Sequence, residues 1–117
     1  MPHGFGCATP IFRVANLSAS IDYYVKVLGF TIDWEHRALI ASVSRDRCCL
    51  FLCEGDQSNP GMWAWIGIDD CQALFGEFRG KGARILNPPT NYSWAYEMQV
   101  GDLDGNEIGR ASCRERV

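Results

Sequence analysis

The chain has few of the residues from which metal and redox sites are built. Only two histidines occur, His3 and His36, and neither lies near a cysteine at the spacing zinc requires. None of the six cysteines (Cys7, Cys48, Cys49, Cys53, Cys71, Cys113) forms a C-x-x-C pair. They read as reduced, buried, small hydrophobic residues. No apolar run approaches the ~20 residues of a membrane-spanning helix. "MPHGFGCATP" has no basic segment leading into an apolar one, so a cytoplasmic protein without a membrane partner is expected. A G-x-S-x-G elbow and a phosphate-binding glycine loop are missing, and "GDLDG" lacks the rest of a calcium loop. Excess positive charge is missing too. The net charge of −3 disfavours nucleic acid as a partner and suits a cationic small molecule.

What is present is a repeat. The 117 residues suffice for one domain and not for two ordinary ones. Within them a strand, a helix and further strands are written twice. "ATPIFRV" predicts a strand and "NLSASIDYYVKVLG" a helix, capped by Asn16 or Ser18, striped by Ile21, Tyr24, Val25 and Leu28, and ended by Gly29. "FTIDWEH", "ALIASVS" and "CCLFLC" predict three strands, and "EGDQSNPG" a linker. "MWAWIGI" then predicts a strand and "DDCQALFGEFRGKG" a helix with Leu74, Phe75 and Phe78 on one face. "ARIL", a proline-rich turn "NPPTNYS" and the strand "WAYEMQV" follow. The fold class is therefore α+β: two tandem βαβββ modules, about 8–54 and 62–106, joined by a linker at 55–61 and facing a shared concave cleft.

The end of the chain stands apart. "EIGRASCRERV" has neither clean alternation nor a helical stripe. Back-translated, it resembles a short-read sequencing adapter read in frame, so residues 107–117 are expected to be a non-native tail. Without them 8 basic and 12 acidic residues remain, a net charge of −4. "GDLDGN" should launch a final strand that Ile108 and Ala111 only partly supply.

"ANLSASIDYYVKVLGFTIDWEH" resembles the opening signature of the vicinal oxygen chelate superfamily, and "WAYEMQVGDLDGN" resembles its closing one. The ordered set spans about residues 8–106 and is similar to the glyoxalase/bleomycin resistance group, especially its metal-free, drug-binding members. The resemblance implies paired βαβββ modules and a homodimer whose clefts take residues from both chains. Metalloenzymes of the superfamily carry ligands at four positions. By motif spacing these fall on Thr9, Phe51, Trp63 and Gly109. A divalent metal needs nitrogen, thiolate or oxygen donors. Phe51 and Trp63 offer none, so the resemblance implies no metal and no cofactor; because Gly109 lies in the tail, the argument rests on the first three.

Aromatic residues take the place of those ligands. Trp63 and Trp65 share a strand face, and Phe51, Trp34 and Trp94 fall at cleft positions of the drug-binding branch. Flat rings stack on planar ligands and attract cations through their faces. Tryptophans in a small β-rich domain serve a core or a dimer interface about as readily. Arg13 either meets a ligand anion or pairs with Glu97; Glu97 either neutralises a cationic ligand or faces solvent. Asp33 and Glu35 alternate with Ile32 and Trp34 and read as a solvated face. The expected function is sequestration of a planar or cationic toxic compound, such as a bleomycin-like antibiotic. The candidate ligand-binding residues are Trp63, Trp65, Phe51, Trp34, Trp94, Arg13 and Glu97, with no catalytic residue. The alternative is a metal-dependent glyoxalase-like lyase or isomerase, a ring-cleaving dioxygenase or a fosfomycin-type thiol transferase, its metal held by Glu97 or His36 with cysteines.

Overall fold

A computed structural model describes the backbone of residues 4–113 and the side chains of residues 4–107. Strands β1 (Ile11–Arg13), β2 (Thr31–His36), β3 (Ile40–Arg45) and β4 (Cys48–Cys53) form one four-stranded sheet in the order β1-β4-β3-β2. Strands β5 (Trp63–Gly67), β6 (Arg84–Asn91), β7 (Tyr96–Gly101) and β8 (Glu107–Cys113) form the other, in the order β5-β8-β7-β6. In each sheet the first strand runs parallel to the fourth and the remaining pairs are antiparallel. The duplication read from the sequence is therefore a duplication of topology.

Each module carries one helix. Asn16 caps α1 (Leu17–Asp22) by accepting the amide of Ala19, which satisfies one of the orphan donors of the first turn. The helix then widens into a π-helical turn, Tyr23–Val27, with Leu28 N–H donating to the Tyr23 carbonyl. That widening shifts the buried stripe. Leu17, Ser20, Tyr23, Tyr24 and Leu28 are buried, whereas Ile21 and Val25 are only half-buried. Asp70 caps α2 (Cys71–Gly80) through the Ala73 amide, and Cys71 and Phe78 are its buried residues.

One sequence expectation changes. The proline-rich stretch is not a turn but the middle of β6. β6 is an edge strand with register breaks on either side of Asn87, where Pro88 and Pro89 need supply no ladder donors. The strand that "GDLDGN" is expected to launch is β8, formed by the backbone of residues 107–113 between β5 and β7.

One core joins the modules. Phe12, Leu50 and Leu52 from the first sheet, Tyr24 and Leu28 from the first helix, and Phe78, Met98 and Val100 from the second module belong to a single buried cluster. Polar contacts reinforce it. Arg45 grips Glu77 through two bonds of 2.8 and 2.9 Å and donates to the Leu28 carbonyl at the end of the first helix. Gly29 makes that grip possible: it has φ +79°, and a Cβ there would stand 2.8 Å from Arg45 Nη1. With the helices and core on one side of each sheet, the opposite faces are left open.

Candidate functional site

On the first sheet, strand register places Ile11, Phe51, Ser42 and Trp34 in one row across all four strands. Paired residues in a ladder point to one face. This is the open face, because Phe12, Leu50 and Leu52 alternate with it into the core. Trp34, 44% exposed, meets Phe51 edge-to-face with ring centroids 5.2 Å apart and planes at 64°. Arg13, half-buried, shares the Ile11 face and pairs in register with Cys53.

Simple alternation puts Asp33 opposite Trp34, and the structure does not. A register shift between Ile32 and Trp34 marks a β-bulge, and a bulge re-aims the extra side chain. Asp33 Oδ1 accepts the Ser44 hydroxyl at 2.8 Å and Oδ2 accepts the Ser42 hydroxyl at 3.0 Å. Ser42 lies in the row of Trp34 and Phe51, so the carboxylate stands on the aromatic face. Glu35 pairs with Ala41 and keeps to the other side.

On the second sheet Trp63 and Trp65 flank buried Ala64 and are 58% and 53% exposed. Glu97 is fully buried, so it does not face solvent. Its Oε1 accepts the indole N–H of Trp94 at 3.0 Å, and Oε2 accepts the Gln99 amide at 3.4 Å. Trp94, 63% exposed, stacks on Tyr92 at 4.8 Å and 9°. Asn87 Nδ2 donates to the Tyr92 hydroxyl at 2.6 Å and holds the second ring. Tyr92 was missed in the sequence because its segment reads as a turn; its two-residue spacing from Trp94 is the signal that points to it.

The seven candidates thus divide between two open faces. Trp34 and Phe51 meet on the first sheet, where Arg13 also lies. Trp63 and Trp65 stand on the second, where Trp94 and Glu97 are hydrogen-bonded. An open crevice of about 1160 Å³ lies between the modules, lined among others by Phe30, Arg45, Leu50, Leu74 and Phe78; of the candidates, Trp65 borders it. Cys48 lines the same crevice, and burial pushes its thiol up, away from the reactive thiolate.

Of the metal positions carried over from the resemblance, Gly109 lies outside the described side chains, and the other three do not make an ion site. Thr9 precedes β1, Phe51 packs against Trp34, and Trp63 presents an indole. Among the described residues no group of three His, Cys, Asp or Glu side chains is placed to hold one. Among them, too, no helix is long and apolar enough to cross a membrane.

A family model described as "Glyoxalase superfamily protein" matches residues 3–116. No curated protein matches the sequence. Among solved structures, the bleomycin-binding protein from Streptomyces verticillus, complexed with copper(II)-bleomycin, is 24% identical with a TM-score of 0.80, over 96% of this chain and 98% of that one. TnmS3, an antibiotic binding protein from Streptomyces sp. CB03234, is 20% identical with a TM-score of 0.79, over 95% and 98%. TioX from Micromonospora sp. ML1 is 16% identical with a TM-score of 0.78, over 94% and 100%.

Proposed function

The chain belongs to the glyoxalase superfamily, and we propose that it is a metal-independent binding protein that sequesters a planar or cationic toxic compound in the cytoplasm. The observation that carries this reading is the set of half-exposed tryptophans on the sheet faces; by the motif spacing of the resemblance, Phe51 and Trp63 fall where metalloenzymes of the superfamily hold their ion, which supports it. Two structural neighbours are an antibiotic-binding and a bleomycin-binding protein, and we carry that ligand class over to this chain.

The aromatic faces belong to two separate sheets of one protomer. We propose a homodimer in which the open face of one protomer's first sheet meets the second sheet of its partner, so that each cleft draws on both chains. Exposed indoles on both faces support it, since large apolar patches on a soluble surface mark interaction sites. Within such a cleft, Trp34 with Phe51 and Trp94 with Tyr92 offer two platforms for a flat ligand. Each ring contact would contribute about 0.5–2 kcal/mol, and several together reach micromolar affinity. Glu97 holds Trp94, and Arg13 borders the first platform.

Titration with metal-free bleomycin, followed by tryptophan fluorescence, tests the reading. A saturable change at micromolar ligand supports it; its absence removes bleomycin as the ligand class. Sedimentation of the purified protein tests the dimer, and a monomer at all concentrations would exclude the shared cleft. Stoichiometric metal in protein purified without chelator would instead favour the lyase, dioxygenase or transferase reading.

A further inference from the structure

We propose that Asp33 is the charge-selecting residue of the aromatic cleft, choosing planar ligands that carry a protonated nitrogen or an N–H donor over the Trp34–Phe51 pair. The inference rests on the aromatic-cleft reading and narrows its ligand class.

Asp33 is exposed, and an exposed aspartate on a strand ordinarily points to water and moves freely. Here the bulge between Ile32 and Trp34 turns it onto the aromatic face. Two serine hydroxyls then fix both carboxylate oxygens, at 2.8 and 3.0 Å. An ionised carboxylate offers about four acceptor sites, and two hydroxyls use two of them. Two remain, on a residue that is exposed and adjacent in the chain to Trp34. A fixed acceptor costs little ordering when a ligand docks.

The shared row suits a compound that is both flat and cationic. Ser42 is the cross-strand partner of both Trp34 and Phe51, so the group that anchors Asp33 lies in the ring pair's own row. A protonated ring nitrogen over Trp34 would meet the indole face and the carboxylate together. A neutral ring of the same shape would gain only the stacking.

Matched probes test this. Acridine is neutral at neutral pH, and 9-aminoacridine is protonated there; both are planar tricycles of nearly one shape. Calorimetric titration of the whole protein should show 9-aminoacridine binding about tenfold or more tighter than acridine. Asp33→Asn, which keeps the shape and one acceptor oxygen while its amide nitrogen donates to the other serine oxygen, should bring the two to near parity and leave acridine unchanged. Glu35→Gln, which removes an equal charge from the other side of the strand, should preserve the preference. Equal binding of both probes to the native protein would overturn the role of Asp33 and leave the aromatic cleft standing. The preference surviving Asp33→Asn, or vanishing equally in Glu35→Gln, would do the same. If neither probe binds, the cleft and its selecting residue fall together.

Discussion

Tyr24, in the π-helical turn of the first module, donates its hydroxyl at 2.8 Å to the Asp102 carboxylate in the closing turn of the second. Asp102 Oδ1 also accepts the amides of Asp104 and Asn106, and Oδ2 accepts the Asn106 side-chain amide. Asp104 in turn accepts the Ala15 amide and the Ser20 hydroxyl, and Asn106 donates to the Arg13 carbonyl. The acidic "DLDGN" stretch is thus a clasp between modules, bonded to Arg13, Ala15, Ser20 and Tyr24 of the first and to Met62 and Arg84 of the second.

The clasp predicts an order of damage. Tyr24→Phe removes one donor and should cost about 1 kcal/mol. Asp102→Asn turns an amide toward donors and should cost more, about 2–3 kcal/mol. Urea denaturation of the two variants measures both, and an equal or reversed order would contradict the assignment.

The Arg45–Glu77 bridge predicts acid sensitivity. The hydrogen bonds from Arg45 hold the Glu77 carboxyl below its ordinary value. A group depressed in the folded state contributes stability above its unfolded pKa of about 4.3, and that contribution is lost as pH falls through the folded value. Both side chains are about one-third exposed, so solvent screens the pair and the effect is small. Melting temperatures of the native protein and Glu77→Gln should differ at neutral pH and converge as the buffer is acidified below pH about 4. A constant gap would show that the bridge is not the cause.

β8 is an interior strand, and deleting it should abolish the second sheet. A chain ending at Asn106 would leave β5 and β7 without their shared partner and expose unpaired backbone groups on both. We expect loss of cooperative thermal unfolding, read by far-ultraviolet circular dichroism. Retention of a sharp transition would mean that residues 107–113 are dispensable.

Glu97 should matter through Trp94. Glu97→Gln retains an acceptor for the indole N–H and should leave ligand affinity within about threefold. Glu97→Ala removes the acceptor, frees the ring and should weaken bleomycin binding by about tenfold or more. Equal effects of the two variants would show that charge, rather than the held indole, is what the site uses.

These residues also show what the sequence made legible and what it hid. Helix caps at Asn16 and Asp70 and the repeated strand order follow from short-range rules, and they are found where those rules put them. The misses lie where register departs from simple alternation. The bulge at Asp33 and the break around Pro88 and Pro89 depend on pairing with strands distant in sequence, which local alternation does not encode. The π-helical turn shifted the buried stripe for a related reason: the hydroxyls of Tyr23 and Tyr24 both reach the second module, at Gly101 and Asp102. The burial of Glu97 was equally hidden, because a carboxylate is buried only where donors meet it, here the Trp94 indole N–H and the Gln99 amide. The partition of the tryptophans between two sheets is likewise a property of topology.

Calorimetric titration with metal-free bleomycin in the presence and absence of EDTA tests the central claim most directly. The account predicts saturable binding with a dissociation constant of about micromolar, unchanged by the chelator. No saturable heat under either condition, or binding that disappears when EDTA is added, would contradict it.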